Sequence, residues 1–101
     1  MNVACFLSDL RKIEDKNRIL ACSPCVMYYY VSRVDITKDC IILRTSWYST
    51  DTCSLRSLAS KLINLSTEQR PILIAALGNI YNITEIDSRY KTIILKTALH
   101  N

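Results

Sequence analysis

Cys22-Ser23-Pro24-Cys25 is the stretch of this chain best suited to chemistry. A C-x-x-C pair supplies half of a tetrahedral thiolate site and needs two further ligands. A strand leading away from Cys25 for about ten residues carries the chain roughly 30 Å at the usual rise. Cys40, just past the following turn, is then out of reach, whereas Cys53 follows the return strand and comes back toward the pair. A zinc site would therefore use Cys22, Cys25 and Cys53, with Cys5 or His100 as the fourth ligand. The alternative is that these thiols are reduced and pack as small hydrophobes. Five cysteines and no export signal point to a cytosolic or nuclear compartment.

Other catalytic chemistry is poorly provided for. The chain holds one glycine, Gly78, and one histidine, His100, in 101 residues. Phosphate-cradling loops need several glycines, because backbone must approach the ligand closely or take positive φ. A serine nucleophile needs a base, and His100 beside the last residue is a poor one. The expectation is a protein that is not an enzyme and carries no cofactor.

These residues sit on elements that the sequence pattern outlines. Val3, Phe6, Leu7, Leu10 and Ile13 form one helical face. Val26 to Val34 and Cys40 to Tyr48 are rich in β-branched and aromatic residues and read as a hairpin turning at Thr37-Lys38. That turn sets Val34 opposite Ile41, Tyr30 opposite Thr45 and Tyr28 opposite Trp47, and leaves Tyr29, Arg33, Arg44 and Ser46 on the other side. A second helix, capped by Asp51 or Thr52, carries Leu55, Leu58, Ala59, Leu62 and Leu65. Ser66-Thr67-Glu68-Gln69 has capping-box spacing and opens a third helix through the apolar run Ile72–Leu77. A fourth starts at Thr84 and runs through Tyr90 to Ala98, with a strand over Thr92-Ile93-Ile94 as the alternative. The fold class is then α+β: an N-terminal helix, a β-hairpin and three helices in one domain of residues 1–101, with no internal repeat. A third helix with almost no polar side predicts a homodimer through the C-terminal helices.

Two short runs resemble known motifs. Cys22-Ser23-Pro24-Cys25 resembles the active-site dithiol of thioredoxin-like oxidoreductases, which implies a redox role for those two cysteines. Against it, strand rather than helix follows the motif. Ser54-Leu55-Arg56-Ser57-Leu58-Ala59-Ser60-Lys61-Leu62-Ile63 resembles the BC box, the helix by which SOCS-box proteins dock on Elongin C. The matched positions are Leu55, Ala59 and Ile63, although SOCS-box members usually carry cysteine where this chain has Ala59. The resemblance implies Leu55 entering a partner's groove while Ala59 permits close approach. The same stripe also reads as the face that packs on this protein's own hairpin.

The leading functional expectation is a protein-interaction module that docks through Leu55, Leu58, Ala59, Leu62, Ile63, Ile72, Leu73 and Leu77. Its Ile-, Asn-, Tyr- and Lys-rich composition is similar to that of small accessory proteins of viruses with AT-rich genomes, which implies a partner among host factors. The rival is a nucleic-acid-binding regulator. It would use Arg11, Lys12, Lys16 and Arg18 on and after the first helix, with Tyr29, Arg33 and Arg44 on the hairpin's outer face. A net charge of +4, evenly spread, supports that only weakly. No run approaches the ~20 apolar residues of a membrane span, so no membrane is expected as partner.

Overall fold

Asn2 and Ser54 each cap a helix. The Asn2 side chain accepts from the Cys5 N–H at 2.8 Å, and Ser54 Oγ from the Ser57 N–H at 3.2 Å. The computed structural model describes residues 1–47, 52–65 and 69–100. Helix α1 spans Val3–Arg11 and α2 Leu55–Leu62, the latter running into a 3₁₀ turn at Ile63–Leu65. Six strands follow the helices in two groups of three: β1 Leu20–Cys22, β2 Tyr29–Ile36 and β3 Ile41–Ser46, then β4 Ile72–Ala76, β5 Asn79–Asp87 and β6 Ile93–Leu99.

The strands close into a barrel in sequence order, with β1 returning to β6. Pairing is antiparallel except between β3 and β4 and between β1 and β6, which are parallel. Strands β1, β3, β4 and β6 therefore run one way, and β2 and β5 the other. Inward-facing Leu20, Cys22, Val31, Ile41, Leu43, Ile72, Ile74, Ile83, Ile93 and Leu95 join Val3, Phe6, Leu10, Leu55, Leu58 and Leu62 in one continuous core. The helix N-termini are tied where β1 and β4 begin: the Val3 N–H donates to the Arg70 carbonyl at 3.0 Å, and that of Leu55 to Arg18 at 2.8 Å. This is the helical end of the barrel. The opposite end holds the loop from β1 to β2, the turn from β4 to β5 and the last residues of β3 and β6.

The two groups are copies of one unit, offset by 52 residues without insertion or deletion. Val3 corresponds to Leu55, Leu20 to Ile72, Ile41 to Ile93, and the caps Asn2 and Ser54 to each other. Every register repeats: Val34↔Leu43 recurs as Ile86↔Leu95, and Leu20↔Ile93 as Ile72↔Ile41. The isolated bridges Asn2↔Pro71 and Ile19↔Ser54 exchange under the same operation. So do the β-bulges of β2 and β5, at Val31/Arg33 and Ile83/Glu85. In each bulge a hydroxyl donates to a strand carbonyl, Ser32 to Arg44 at 3.3 Å and Thr84 to Lys96 at 3.2 Å. Asp35-x5-Ile41-Ile42-Leu43-x-Thr45 reappears as Asp87-x5-Ile93-Ile94-Leu95-x-Thr97. A twofold rotation about the barrel axis relates the halves.

This architecture corrects the helix-rich α+β expectation. The first helix, the hairpin and the second helix are present, but the third and fourth helices, through which the dimer was expected, are strands β4, β5 and β6. Ile72–Ala76 is apolar throughout because β4 is a central strand flanked on both sides, with Leu73 on its outer face also buried. A short apolar run has the same look in a buried helix. In β5 the bulge at Thr84 breaks the strict alternation that marks a strand. The β2–β3 register also differs from the expected one: Ile36 pairs with Ile41, so the turn centre lies one residue later, at Lys38-Asp39. The bulge at Ser32 then reverses the phase, turning Val31 and Tyr29 toward the core and Tyr30 away from it. Asp51, Tyr48 and the capping box at 66–68 lie outside the described residues. Contrary to the expectation of no repeat, the chain is a duplication.

Candidate interaction surface

Apolar residues that the core does not use collect at the end opposite the helices. Among the described residues ten large apolar side chains are exposed, and six of them stand there: Val26, Met27, Tyr28, Trp47, Leu77 and Leu99. Topology brings them together. Val26, Met27 and Tyr28 lie in the loop between β1 and β2, Trp47 follows β3, Leu77 is in the β4–β5 turn, and Leu99 ends β6. Val26 is 96% exposed and Trp47 58%. Trp47 and Leu77 face one open depression of about 560 Å³, bordered also by Tyr29, Asn79, Ile80 and Arg44, whose guanidinium is paired with Asp35.

The same end is poor in charged side chains. Its described residues 19–32, 45–47, 71–84 and 97–100 hold no Asp, Glu, Lys or Arg. The windows 19–32 and 71–84 are counterparts in the duplication. Charge lies instead on the helices, the segments leading to β1 and β4, the loops 37–39 and 88–91 and the nearby parts of the strands. Surface charge normally suppresses association, so an apolar, uncharged end is the part of the molecule most easily covered.

Backbone strain marks the same place. Leu77 has φ 56° and Gly78 φ 72°. Two positive φ values in a two-residue hairpin define the turn type whose twist matches the strands. Gly78 meets that demand freely, but leucine in the left-handed region costs about 1–2 kcal/mol. Its side chain is 48% exposed, so no burial offsets the cost. An apolar side chain held at such a cost in the open points to a use outside the core.

The cysteines are arranged for packing. Cys22 and Cys53 are buried, while Cys5 and Cys25 are exposed. Burial, and then the neighbouring Cys25, push the Cys22 thiol up to about 12, so without a metal it stays protonated and is a poor nucleophile. Burial followed by Cys25 also raises the Tyr29 phenol above its ordinary value. Among the described residues no three His, Cys, Asp or Glu side chains converge as a metal site. Cys5 sits on α1 at the helical end, whereas His100 bonds Asn82 Oδ1 at 3.1 Å and its N–H donates to Ile80 at 3.0 Å.

The expected docking residues are mostly spent internally. Leu55, Leu58, Leu62 and Ile72 are fully buried and Leu73 nearly so. Leu55, Ala59 and Ile63, the BC-box positions, border a small hollow of about 180 Å³ against Leu7 and Leu10, with only Ile63 exposed. Leu77 alone lies on the charge-free end. The basic residues do not form one face. Lys12 pairs with Asp9 at 3.7 Å, and Arg44 with Asp35 at 2.6 Å. Lys16 donates to the Ile13 carbonyl, closing the end of α1. Arg18 donates to the carbonyls of Ser88, Tyr90 and Lys91, pinning the opposite loop as Arg70 does through Thr37. Arg11 and Arg33 are exposed on separate elements, and Tyr29 packs on the core.

The charged residue most removed from solvent is Asp87, 8% exposed. Arg89 holds it through both carboxylate oxygens, at 3.0 and 2.8 Å, and through its own N–H at 3.1 Å. Those bonds lower its carboxyl to about 2. Val26, Met27, Trp47 and Leu99 were not legible as surface residues, yet a scan for windows without charge marks all four. No protein-family model, curated protein or solved structure matches the chain, and among the described residues no helix is long and apolar enough to cross a membrane.

Proposed function

We propose that this protein is a non-enzymatic binding module whose working surface is the charge-free end of the barrel, and that its partner there is another protein. The observation that supports this is the coincidence, on one end, of six exposed apolar side chains with described stretches, 19–32, 45–47, 71–84 and 97–100, that hold no Asp, Glu, Lys or Arg. Exposed apolar patches with a polar surround are characteristic of protein interfaces. Trp47 and Tyr28 are side-chain types that dominate binding energy when a partner covers them. Leu77 projects from a turn whose backbone tolerates it at a cost. The BC-box resemblance contributes nothing to this surface, since Leu55 is enclosed by α1 and the barrel.

A photo-crosslinking residue placed at Val26, and separately at Lys38 on the helical end, tests the proposal in the native cell. The position-26 protein forms a discrete adduct and the position-38 protein does not. The adduct's mass distinguishes a second copy of the 11.6 kDa chain from a different protein. Adducts of equal yield from both positions, or from position 38 alone, overturn the reading.

A further inference from the structure

The duplication separates residues that build the barrel from residues that do something else. Positions the fold requires recur in both halves, so a cluster present in one half alone has another reason to exist. The clearest such cluster lies on the outer wall across β2, β1 and β6. Tyr28, Tyr30, Asp87, Tyr90, Lys91 and Ile94 surround a hollow of about 440 Å³. Their counterparts 52 residues away are Ile80, Asn82, Asp35, Lys38, Asp39 and Ile42. All three tyrosines and the lysine are lost. Ala21 stands between Tyr30 and Ile94 in the register, where its counterpart Leu73 stands between Asn82 and Ile42. The smaller side chain leaves room on this side of the barrel.

Three phenol rings around one hollow suit a flat aromatic group or an organic cation. Local charge decides between them. Both Asp87 oxygens are engaged by Arg89, whose guanidinium also lies 5.5 Å from the Tyr90 ring centre. Lys91 stands in the wall, and among the described residues no ion pair engages its ammonium. Arg18 adds positive charge behind the Tyr90–Lys91 backbone. A cation would be repelled, whereas an aromatic group bearing negative charge would be held. The guanidinium forks of Arg18 and Arg89 are already occupied, so the paired-fork recognition of a doubly charged phosphomonoester is not available. Lys91 offers a single point charge, which matches one phosphate of a chain.

We infer that this hollow binds a nucleobase together with its phosphate, the ring against Tyr30 and Tyr90 and the phosphate at Lys91, as part of a single strand. Its volume falls within the range of small-ligand sites, and base stacking on aromatic side chains is tolerant of sequence. The site is separate from the charge-free end, apart from Tyr28 at their border.

Fluorescence anisotropy of a labelled oligouridylate, titrated with the intact chain at two salt concentrations, tests this. Binding is expected at about 1–100 µM protein and should weaken as salt rises. Tyr90→Ala should weaken it about tenfold. Lys91→Gln should weaken it less and flatten the salt dependence. Tyr90 is 58% exposed, so an unchanged thermal midpoint will show that its replacement leaves the fold intact. Arg33→Glu, outside the lining of the hollow, should leave binding within about twofold. Uridine monophosphate, a phosphomonoester, should not compete where the oligonucleotide binds, and effective competition by it overturns the assignment of the site to a strand. No binding at about 100 µM, equal binding by Tyr90→Ala, or preference for a phosphotyrosine peptide overturns it.

Discussion

The two halves of the barrel share a skeleton and differ in their skin. Inside, most core residues of the first half have a counterpart of similar bulk, Val3 and Leu55, Phe6 and Leu58, Leu10 and Leu62, Val31 and Ile83, Leu43 and Leu95, whereas Leu7 corresponds to Ala59. Close packing tolerates only small changes in volume, so the core has kept its pattern. Outside, Tyr30 faces Asn82 across the duplication, Lys91 faces Asp39, and Ala21 faces Leu73. The hairpin ends differ for a backbone reason. Ala76 pairs with Asn79, and the second hairpin closes in a two-residue turn. Its counterpart Pro24 has no N–H to donate, and Val26 stands where Gly78 takes positive φ. The first hairpin accordingly stops at Cys22↔Tyr29, leaving 23–28 as the loop that carries the most exposed apolar residue. A duplicated scaffold thus frees one copy of each surface feature for binding.

The largest effects should come from the shared core. Phe6→Ala should cost about 3–5 kcal/mol and Leu58→Ala about 2–5 kcal/mol, read by denaturant unfolding. Both losses should appear in a single transition, because each side chain packs in a core built from both halves. Two separate transitions would mean that the halves fold independently.

Connectivity should matter less than packing. Asn101 is the counterpart of Ser49, and Met1 of Cys53, so three residues joining 101 to 1 reproduce the connection between the halves. A circular permutant so joined and opened within 49–52 should keep the far-ultraviolet dichroism of the parent and lose only about 1–2 kcal/mol. Failure to fold would show that the halves are not interchangeable.

Leu77→Asn should raise stability by about 1 kcal/mol, since asparagine accepts the left-handed backbone that leucine resists. The same change should reduce the adduct formed from position 26. Smallest of all is the difference between the paired aspartates. Asp87 is held near pH 2, below its ordinary 3.8, and so stabilises the fold above about pH 4; this contribution is lost as pH falls toward 2. Asp87→Asn should flatten the acid limb of a stability-against-pH curve. Asp35→Asn, which breaks a half-exposed pair with Arg44, should change it little.

Much of the first half was legible because its signals are local. Helix α1 and its counterpart α2 follow from apolar spacing, although the cap of α2 is Ser54 and not Thr52, and β2–β3 from dense β-branching. The second half defeated the same reading. Ile72–Ala76 has no alternation, because Leu73 and Ala75 on the outer face of β4 are apolar as well, and the bulge at Thr84 scrambles the period of β5. The decisive signal is long-range: laid against itself at 52, the chain aligns Asp35 with Asp87 and Ile41-Ile42-Leu43 with Ile93-Ile94-Leu95. Once β2–β3 is a hairpin, its copy must be one too. The binding surface was hidden for another reason, since which apolar residues remain outside depends on barrel closure and on bulges that reverse a strand's phase.

The reading of the charge-free end rests on Trp47 as much as on Val26, and a single variant probes it. With the photo-crosslinking residue at position 26, Trp47→Asp should cut the adduct yield at least about tenfold, as expected for a central aromatic residue, while the thermal midpoint stays unchanged. An undiminished adduct in a folded Trp47→Asp protein would contradict the assignment of that end as the binding surface.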